Sequence, residues 1–412
     1  MKIRKITRIT NAILILLWLL VGCVLDSSNP PRNGNSEVVE KEPLTVSPQT
    51  AHTENTRETE ILSASTSGVT GTPASTSTSP SVEAGRNPFF AGTPIPAGAN
   101  GFQLSFIAKV GNSFSNNWNL FIMNEVGNIT RLTNGLEITD YRWSPDGKKI
   151  AYAITPYKLF VMNADGSNLR ELPHTPSATE NSFVWSPDNS RLLVSMDQDG
   201  EIDLFTINVN TIEVTQLTHT SKIDEQAPQW SPNGEYIVFS AHNIDNYDAD
   251  IFMMDANGRN LKQLTDSPQY EDAPKWSPDG TQIAYQLYES MNHQLWVMDK
   301  DGENKRFLAD TFGIGESFTN DYAWSPNSQY IAYIPAPYFD VMIVDVFQGE
   351  IIQMPGTFES VNHIRWHPGG KFIAFDAVRD WNRDIFLVNI ETDDLIRITV
   401  NEENDYLPEW RP

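Results

Sequence analysis

Residues 276–302 read WSPDGTQIAYQLYESMNHQLWVMDKDG. A tryptophan and a Ser-Pro-Asp-Gly turn are followed by two apolar runs, QIAYQL and QLWVMD, and by a second Asp-Gly turn. β-Branched and aromatic residues, which dominate such runs, are typical of β-strands, and Asp-Gly pairs are typical of tight turns. The stretch therefore predicts a small antiparallel unit of strands without a helix.

The same unit recurs along the chain. The Trp that precedes each X-Pro turn occurs seven times, at gaps of 42 to 48 residues: Trp143, Trp185, Trp230, Trp276, Trp324, Trp366 and Trp410. After each of the first six come two apolar strands and a short last strand that often ends near Leu-Thr. Four short strands at a period near 44 residues are typical of one propeller blade. The chain is therefore predicted to be an all-β propeller.

The two ends of the repeat region complement each other. The segments at 103–110, 119–124 and 129–133 match the last three strands of a blade, whereas residues 405–412 match only its first strand. Six whole blades and one shared blade make seven. We therefore predict a seven-bladed propeller of four-stranded blades over residues 101–412, closed by pairing of its N- and C-terminal strands so that no sheet edge stays exposed.

These repeats resemble the PD-type, WD-like propeller repeat of the TolB family. The resemblance covers residues 101–412 and rests on W-S-P-D-G, I-A-Y, (L/I)-F-V-M-D-x-D-G and L-T. TolB itself has six blades and a separate N-terminal α/β domain, for which no counterpart is expected here. Binding of the TolB partner at the outer membrane is therefore not carried over to this chain.

Two repeated residue types have expected structural roles. We expect the seven Trp side chains to wedge between neighbouring blades. The Asp that opens the third strand of a blade is expected to accept a hydrogen bond that defines the repeat, and it occurs at four positions: Asp203, Asp250, Asp340 and Asp384.

The first 100 residues differ from the repeats in composition. Four basic residues precede an uncharged apolar run at 13–21, which is shorter than the roughly 20 residues that span a bilayer and fits a signal peptide. The run ends in Leu-Val-Gly-Cys23, which resembles the bacterial lipobox, whose cysteine is acylated. We predict a lipoprotein signal peptide at 1–22 and lipidation of Cys23. A transmembrane anchor with an incidental cysteine is the alternative.

Residues 23–100 are predicted to be a disordered tether. They are rich in Ser, Thr and Pro and show no apolar periodicity, so they cannot bury enough surface to offset the entropy of ordering. Together with the lipobox, the tether predicts an extracytoplasmic protein of the cell envelope, periplasmic or at the cell surface, that is held to a membrane by its lipid.

Charge and cysteine content limit the partners and sites. The chain has 53 acidic and 29 basic residues, a formal net charge of −24, and the excess lies entirely in 101–412. A nucleic-acid-binding protein needs a basic surface, so nucleic acid is excluded as a partner. A single cysteine excludes intramolecular disulfides and cysteine-rich zinc sites.

Candidate ligand-binding residues are predicted just before the first strand of each blade, where the chain turns into the central channel. They are polar in six successive blades: Asp140, Asn181, Gln226, Asp272, Asp321, Asn362 and His363. Variable loops on a rigid ring commonly carry binding sites, and acidic residues with aromatics favour a cationic protein partner. A glycan ligand, a water-filled channel and an acidic rim for solubility are the alternatives.

A carbohydrate-active enzyme is the rival function. Five His are predicted on the long-loop face, and His is a common metal ligand: His174, His219, His242, His293 and His363. Oligogalacturonate lyases are similar in having seven blades and a His-lined metal centre. The chain lacks GxSxG, HExxH, P-loop and GxGxxG motifs. We favour a protein-binding scaffold with no catalytic residues, no metal and no cofactor, and the lyase-like or glycan-binding propeller with a metal site stays open.

Overall fold

The computed structural model describes residues 94–96, 101–109, 118–155, 158–173, 183–198, 200–245, 248–289, 292–311, 321–335, 340–400 and 403–412. The 28 strands form seven sheets of four strands each, and every strand pairs antiparallel with its neighbour. The predicted all-β, seven-bladed propeller is thereby confirmed. Within the described ranges, no helix is long and apolar enough to cross a membrane.

Six blades are built from four consecutive strands each. Blades 1 to 3 contain, in order, β4 Ile138–Trp143, β5 Lys149–Ile154, β6 Lys158–Asn163 and β7 Arg170–Glu171; β8 Phe183–Trp185, β9 Arg191–Gln198, β10 Glu201–Asn208 and β11 Val214–Gln216; and β12 Ile223–Trp230, β13 Tyr236–Asn243, β14 Asp248–Asp255 and β15 Lys262–Gln263. Blades 4 to 6 contain β16 Tyr270–Trp276, β17 Gln282–Glu289, β18 Asn292–Asp299 and β19 Arg306–Asp310; β20 Tyr322–Trp324, β21 Tyr330–Tyr333, β22 Met342–Asp345 and β23 Ile351–Gln353; and β24 Ser360–Trp366, β25 Phe372–Arg379, β26 Asn382–Asn389 and β27 Leu395–Arg397.

Blade 7 joins the two ends of the repeat region, as predicted. Its strand order is β28 Asp405–Trp410, β1 Leu104–Lys109, β2 Trp118–Met123 and β3 Ile129–Arg131. In this sheet Leu104 lies opposite Trp410, and Ser105 lies opposite Glu409. The Ser105 hydroxyl also donates to the Glu409 carbonyl oxygen at 2.9 Å. Pairing of the terminal strands therefore closes the ring.

The first strand of each blade lies at the centre of the ring. First strands of neighbouring blades contact one another, including β24 with β28 and β28 with β4. Because neighbouring strands in a blade are antiparallel, the first-to-second and third-to-fourth turns lie on one face, here called the short-turn face. The second-to-third and fourth-to-first connections lie on the opposite, long-loop face.

The repeat Trp residues are packed between blades, as expected. All seven are buried, with relative exposures of 4 to 8%. In three of them the indole Nε1 donates to the carbonyl oxygen of the residue before the Trp of the preceding blade, at 2.9–3.1 Å: Trp185 to Arg142, Trp324 to Lys275 and Trp366 to Ala323. Each of these bonds ties the first strands of two adjacent blades together.

The Asp expected to open the third strand accepts the same type of bond in four blades, which confirms its predicted role. It does not open the strand: Asp203, Asp250 and Asp384 are the third residues of β10, β14 and β26, and Asp340 lies two residues before β22. Its partner is a side chain 13 residues further on, in the fourth strand: Asp203 with Gln216 at 2.9 Å, Asp250 with Gln263 at 3.0 Å, Asp340 with Gln353 at 2.7 Å and Asp384 with Arg397 at 2.5 Å. The bond joins the third strand to the outermost strand of a blade.

Candidate functional site

Most of the predicted site residues lie inside the first strands and not before them. Asp140 is in β4, Gln226 in β12, Asp272 in β16, and Asn362 and His363 are in β24. The predicted position is therefore wrong for these five. Of the other two, Asp321 directly precedes β20, and Asn181 lies outside the described residues.

A β-bulge explains the difference. The pairing register shifts between Gln226 and Gln229 in blade 3, and at the equivalent positions of blades 4 and 6. The first residue inside the shift has a left-handed φ, 48° at Ala227 in blade 3 and 52° at His363 in blade 6. A bulge inserts an extra residue without ending the strand. The sequence pattern predicts a strand start at the bulge, whereas the first strand continues beyond it toward the long-loop face.

In four of the seven blades the residue before the repeat Trp supplies a charge that sequence reasoning missed. With two of the predicted residues, these charges alternate in sign around the first strands of blades 4, 5, 6, 7 and 1. In that order they are Lys275, Asp321, Arg365, Glu409, Arg142 and Asp140. We call this set the channel charge arc. Three cations and three acids make the arc neutral when all six are ionised.

Ion pairs connect five of the six members of the channel charge arc in two groups. Arg365 Nη1 lies 3.1 Å from Asp321 Oδ1, and Lys275 Nζ lies 3.9 Å from the same oxygen. Arg142 Nη1 lies 2.5 Å from Asp140 Oδ1. These cations offset the negative charge of the predicted carboxylates, so the channel is not lined by acids alone.

Burial brings the pKa values of two members of the arc close to neutral pH. It raises the pKa of Glu409 to about 7, although Arg142 and Arg365 oppose the shift. Burial also lowers the pKa of Lys275 to about 8, against the effect of Asp321. For Asp321, burial acts to raise the pKa, but Arg365 and Lys275 together hold it below its ordinary value. The charge of the arc is therefore sensitive to pH between about 7 and 8.

A second cluster joins blades 3 and 4 around Asp272. Its Oδ1 accepts a hydrogen bond from the Ser240 hydroxyl at 2.7 Å and lies 3.4 Å from His242 Nε2. His242 Nδ1 in turn lies 2.9 Å from the Tyr270 hydroxyl. Burial raises the pKa of Asp272, but His242 and Ser240 more than reverse this and leave it lowered.

Four rings continue from this cluster over the long-loop end of blade 4, and we call them the aromatic strip. His242 meets Tyr270 with ring centroids 5.1 Å apart, Tyr270 meets Tyr288 at 5.5 Å, and Tyr288 meets His293 at 4.5 Å. All contacts are edge-to-face, an arrangement that aromatic pairs prefer. The rings are half-buried, so they offer a partly open apolar surface beside Asp272.

A third cluster lies in blade 6 and involves His363. The fully buried Asp376 accepts from Arg383 Nη1 at 2.6 Å and lies 2.5 Å from His363 Nδ1. Burial lowers the pKa of His363, but the Asp376 carboxylate outweighs this and raises it above its ordinary value. Arg383 also lies over the ring of Tyr406, 5.4 Å from its centroid. His363 is thus held as the partner of a buried carboxylate.

The hairpin between β25 and β26 carries a large exposed side chain next to this cluster. Trp381 is 90% exposed at the hairpin tip. It has a φ of 66°, and Asp380 before it has a φ of 56°. Few residues other than glycine adopt this left-handed region, so two consecutive non-glycine residues mark a strained tip that presents an indole to solvent on the long-loop face.

The predicted histidines do not come together in one centre. His174 lies outside the described residues, His242 and His363 pair with different carboxylates, and His293 contacts Tyr288. Across the described ranges, no three His, Cys, Asp or Glu side chains are placed to hold one metal ion. The lipidation candidate Cys23 also lies outside the described residues.

The fold and the channel define a seven-bladed β-propeller with a charged centre. Residues 131–314 match the family described as PD40, the TolB beta propeller domain. The resemblance drawn from the repeat motifs is confirmed. No curated protein matches the chain.

Solved structures share the fold at low identity. TolB from Acinetobacter baumannii is 17% identical, covers 74% of this chain and 81% of its own, and has a TM-score of 0.48. An oligogalacturonate lyase in complex with manganese is 14% identical over 72% of this chain and 85% of its own, with a TM-score of 0.52. A puromycin-hydrolysing peptidase from Mycobacterium tuberculosis is 12% identical over 76% of this chain and 56% of its own, with a TM-score of 0.56. These similarities concern the fold alone.

Proposed function

We propose that this protein is a membrane-anchored, extracytoplasmic scaffold whose propeller binds a protein partner on its long-loop face. In this proposal Cys23 carries the lipid, and residues 24–100 hold the propeller away from the membrane. The basic n-region, the apolar run and the Leu-Val-Gly-Cys sequence support the anchor. A flexible segment of this length reaches about 50 Å, which is enough to clear the membrane surface.

Trp381 is the observation that carries the proposal. Trp is enriched among the residues that dominate protein–protein binding energy. Here a 90% exposed indole stands at a strained hairpin tip. Exposure of so large an apolar side chain has no role in the packing of the ring, so binding of a partner gives a reason for it.

The test is partner capture from the native envelope with the mature full-length protein. We expect Trp381→Ala to lose the captured protein. Phe347→Ala is the matched control, because Phe347 is 68% exposed on the short-turn face, in the turn between β22 and β23. An unchanged captured set in Trp381→Ala, together with a loss in Phe347→Ala, would contradict the proposed face.

We also propose that the partner is cationic. The net charge of −24 lies in the propeller region, and a field of one sign steers oppositely charged partners. The association rate should therefore fall with salt, because the Debye length falls from about 10 Å at 0.1 M to about 3 Å at 1 M. Asp272→Asn and Asp321→Asn should weaken capture, and capture that is independent of salt and of both substitutions would place the contact elsewhere.

Glycan binding is the second candidate, and the aromatic strip favours it. Half-buried rings beside a carboxylate, as in Tyr270 and Tyr288 beside Asp272, suit the apolar faces and hydroxyl groups of a sugar. Elemental analysis of the purified protein tests the enzymatic form of this candidate. One equivalent of Mn, Zn or Ca per chain would favour the lyase-like function, whereas glycan binding that Tyr288→Ala removes without any metal would favour simple recognition.

A further inference from the structure

Three carboxylate oxygens of the channel charge arc are buried and have no hydrogen-bond partner. They are Asp140 Oδ2, Asp321 Oδ2 and Glu409 Oε2. The Asp140 side chain is only 8% exposed, and its other oxygen is bound by Arg142. Buried polar atoms in native proteins nearly always have a partner, either protein or ordered water, and for these three oxygens the described side chains supply no donor.

The cations of the arc face the channel more openly than the carboxylates. Arg365 and Lys275 have side chains that are 21% and 20% exposed, compared with 13% for Asp321. Arg365 Nη1 is already used by Asp321 Oδ1 and by the Ile364 carbonyl oxygen, and Lys275 Nζ donates to the Tyr322 carbonyl oxygen at 2.6 Å. The arc therefore presents partly open cations alternating with acceptors that lack a donor.

The alternation of charge in the arc limits the class of molecule that can bind there. One metal ion does not fit, because the described part of the chain holds no group of three side chains placed to coordinate it. A simple cation would be attracted by the three acids but repelled by the three cations of the arc. A simple anion would be attracted by the cations but repelled by the acids. A molecule that carries a positive and a negative group on the same carbon atom matches neighbouring groups of both signs, and charge-assisted hydrogen bonds are the strong ones.

We propose that the channel charge arc binds a small zwitterion of the α-amino acid class. Its ammonium group donates to the unpartnered oxygens of Asp321 and Glu409, and its carboxylate is bound by the guanidinium of Arg365 and the ammonium of Lys275. The inference goes beyond the proposed protein partner and does not depend on it. Asp321 takes part in both proposals, but Glu409 belongs only to the arc and Trp381 only to the partner surface, so Glu409→Gln and Trp381→Ala test the two separately.

Saturation-transfer NMR and calorimetry with the purified full chain test the proposal. The probes are the proteinogenic L-amino acids, with acetate and methylamine as molecules that carry one charge each. For any amino acid that binds, its N-trimethylated form keeps both charges but has no N–H donor. We expect the parent amino acid to bind, and its trimethylated form and the two single-charge probes to bind at least about tenfold more weakly.

Substitutions locate the site. Asp321→Asn and Glu409→Gln should each weaken binding about tenfold or more, as expected for loss of a charged hydrogen-bond acceptor. Glu213→Gln removes the same charge from an exposed position on the short-turn face and should leave affinity unchanged. Failure of every amino acid to bind, or equal affinity for the trimethylated form, would overturn the proposal on the unsubstituted protein alone. Partner capture dependent on Trp381 would be unaffected by either result.

Discussion

A buried carboxyl group between blades 2 and 3 makes the stability of the propeller depend on pH. Glu225, in β12, is 1% exposed. Its carboxyl group accepts from the hydroxyls of Thr218, at 3.1 Å, and of Thr220. Thr218 Oγ1 also lies 3.2 Å from Asp203 Oδ1, and its single proton cannot serve both carboxylates. Burial, with a further contribution from Asp203, raises the pKa of Glu225 from 4.5 to about 8.

The raised pKa determines the direction in which the stability of the folded state changes with pH. The folded state holds the Glu225 proton more tightly than the unfolded state, so the stabilisation is complete below pH 4.5 and is lost as the pH rises through about 8. At about 1.36 kcal/mol per pKa unit, the loss reaches about 5 kcal/mol at pH 9. For a propeller of some 310 residues, that corresponds to roughly 7 °C in Tm. Glu225→Gln removes the ionisation and keeps the hydrogen-bonding shape.

Thermal unfolding followed by Trp fluorescence at pH 5.5 and pH 9 measures this loss. From pH 5.5 the loss spans about 2.5 pH units, or about 3.4 kcal/mol. The unsubstituted protein should therefore lose about 5 °C more Tm between these two values than Glu225→Gln does. Glu213→Gln, with the same change at an exposed site, should follow the unsubstituted protein at both pH values. Equal pH dependence in Glu225→Gln and the unsubstituted protein would refute the assignment of a buried, protonated Glu225.

Three further predictions concern the anchor, the closure and the blade 6 cluster. Cys23→Ala should abolish the acyl-chain mass and release the protein from the membrane fraction, and an acylated product from this variant would show that the lipid is elsewhere. Deletion of 405–412 removes β28 and Trp410 from blade 7 and should cost several kcal/mol of stability; an unchanged Tm would argue against closure by these strands. His363→Asn removes the imidazole whose pKa is raised beside Asp376, so the substitution should destabilise the protein more at pH 6 than at pH 9. Urea unfolding at both pH values measures this, and the opposite ranking would show that His363 is not held as a cation.

The fold was accessible from the sequence because every blade repeats the same local physics. Three features occur at a regular period: a Trp that packs between blades, a turn, and an Asp that bonds to a side chain 13 residues further on. The strands of one blade therefore predict those of the others. Closure of the ring could also be predicted from the sequence, because residues 103–133 match only three strands of a blade and residues 405–412 match the missing first strand. Each of these features depends on neighbours in sequence or on the next repeat.

The site was less accessible because its charges depend on contacts between distant blades. Asp140 and Asp321 stood out as polar residues near the first strands, but their partners Arg142 and Arg365 were missed. The positions directly before the repeat Trp residues could have given the signal, because three of the seven carry a cation and one carries Glu409. The buried state of Glu225 and Glu409 could not be read, because acidic residues are usually exposed and only the packing of adjacent blades removes them from water.

Site-specific photo-crosslinking in cells measures directly whether the long-loop face binds a protein partner. A photoreactive phenylalanine analogue replaces Trp381 in one strain and Phe347 in a second strain, and both positions are highly exposed. We expect a discrete crosslinked protein from position 381 and none of the same mass from position 347. A crosslinked partner from position 347 and none from position 381 would contradict this expectation.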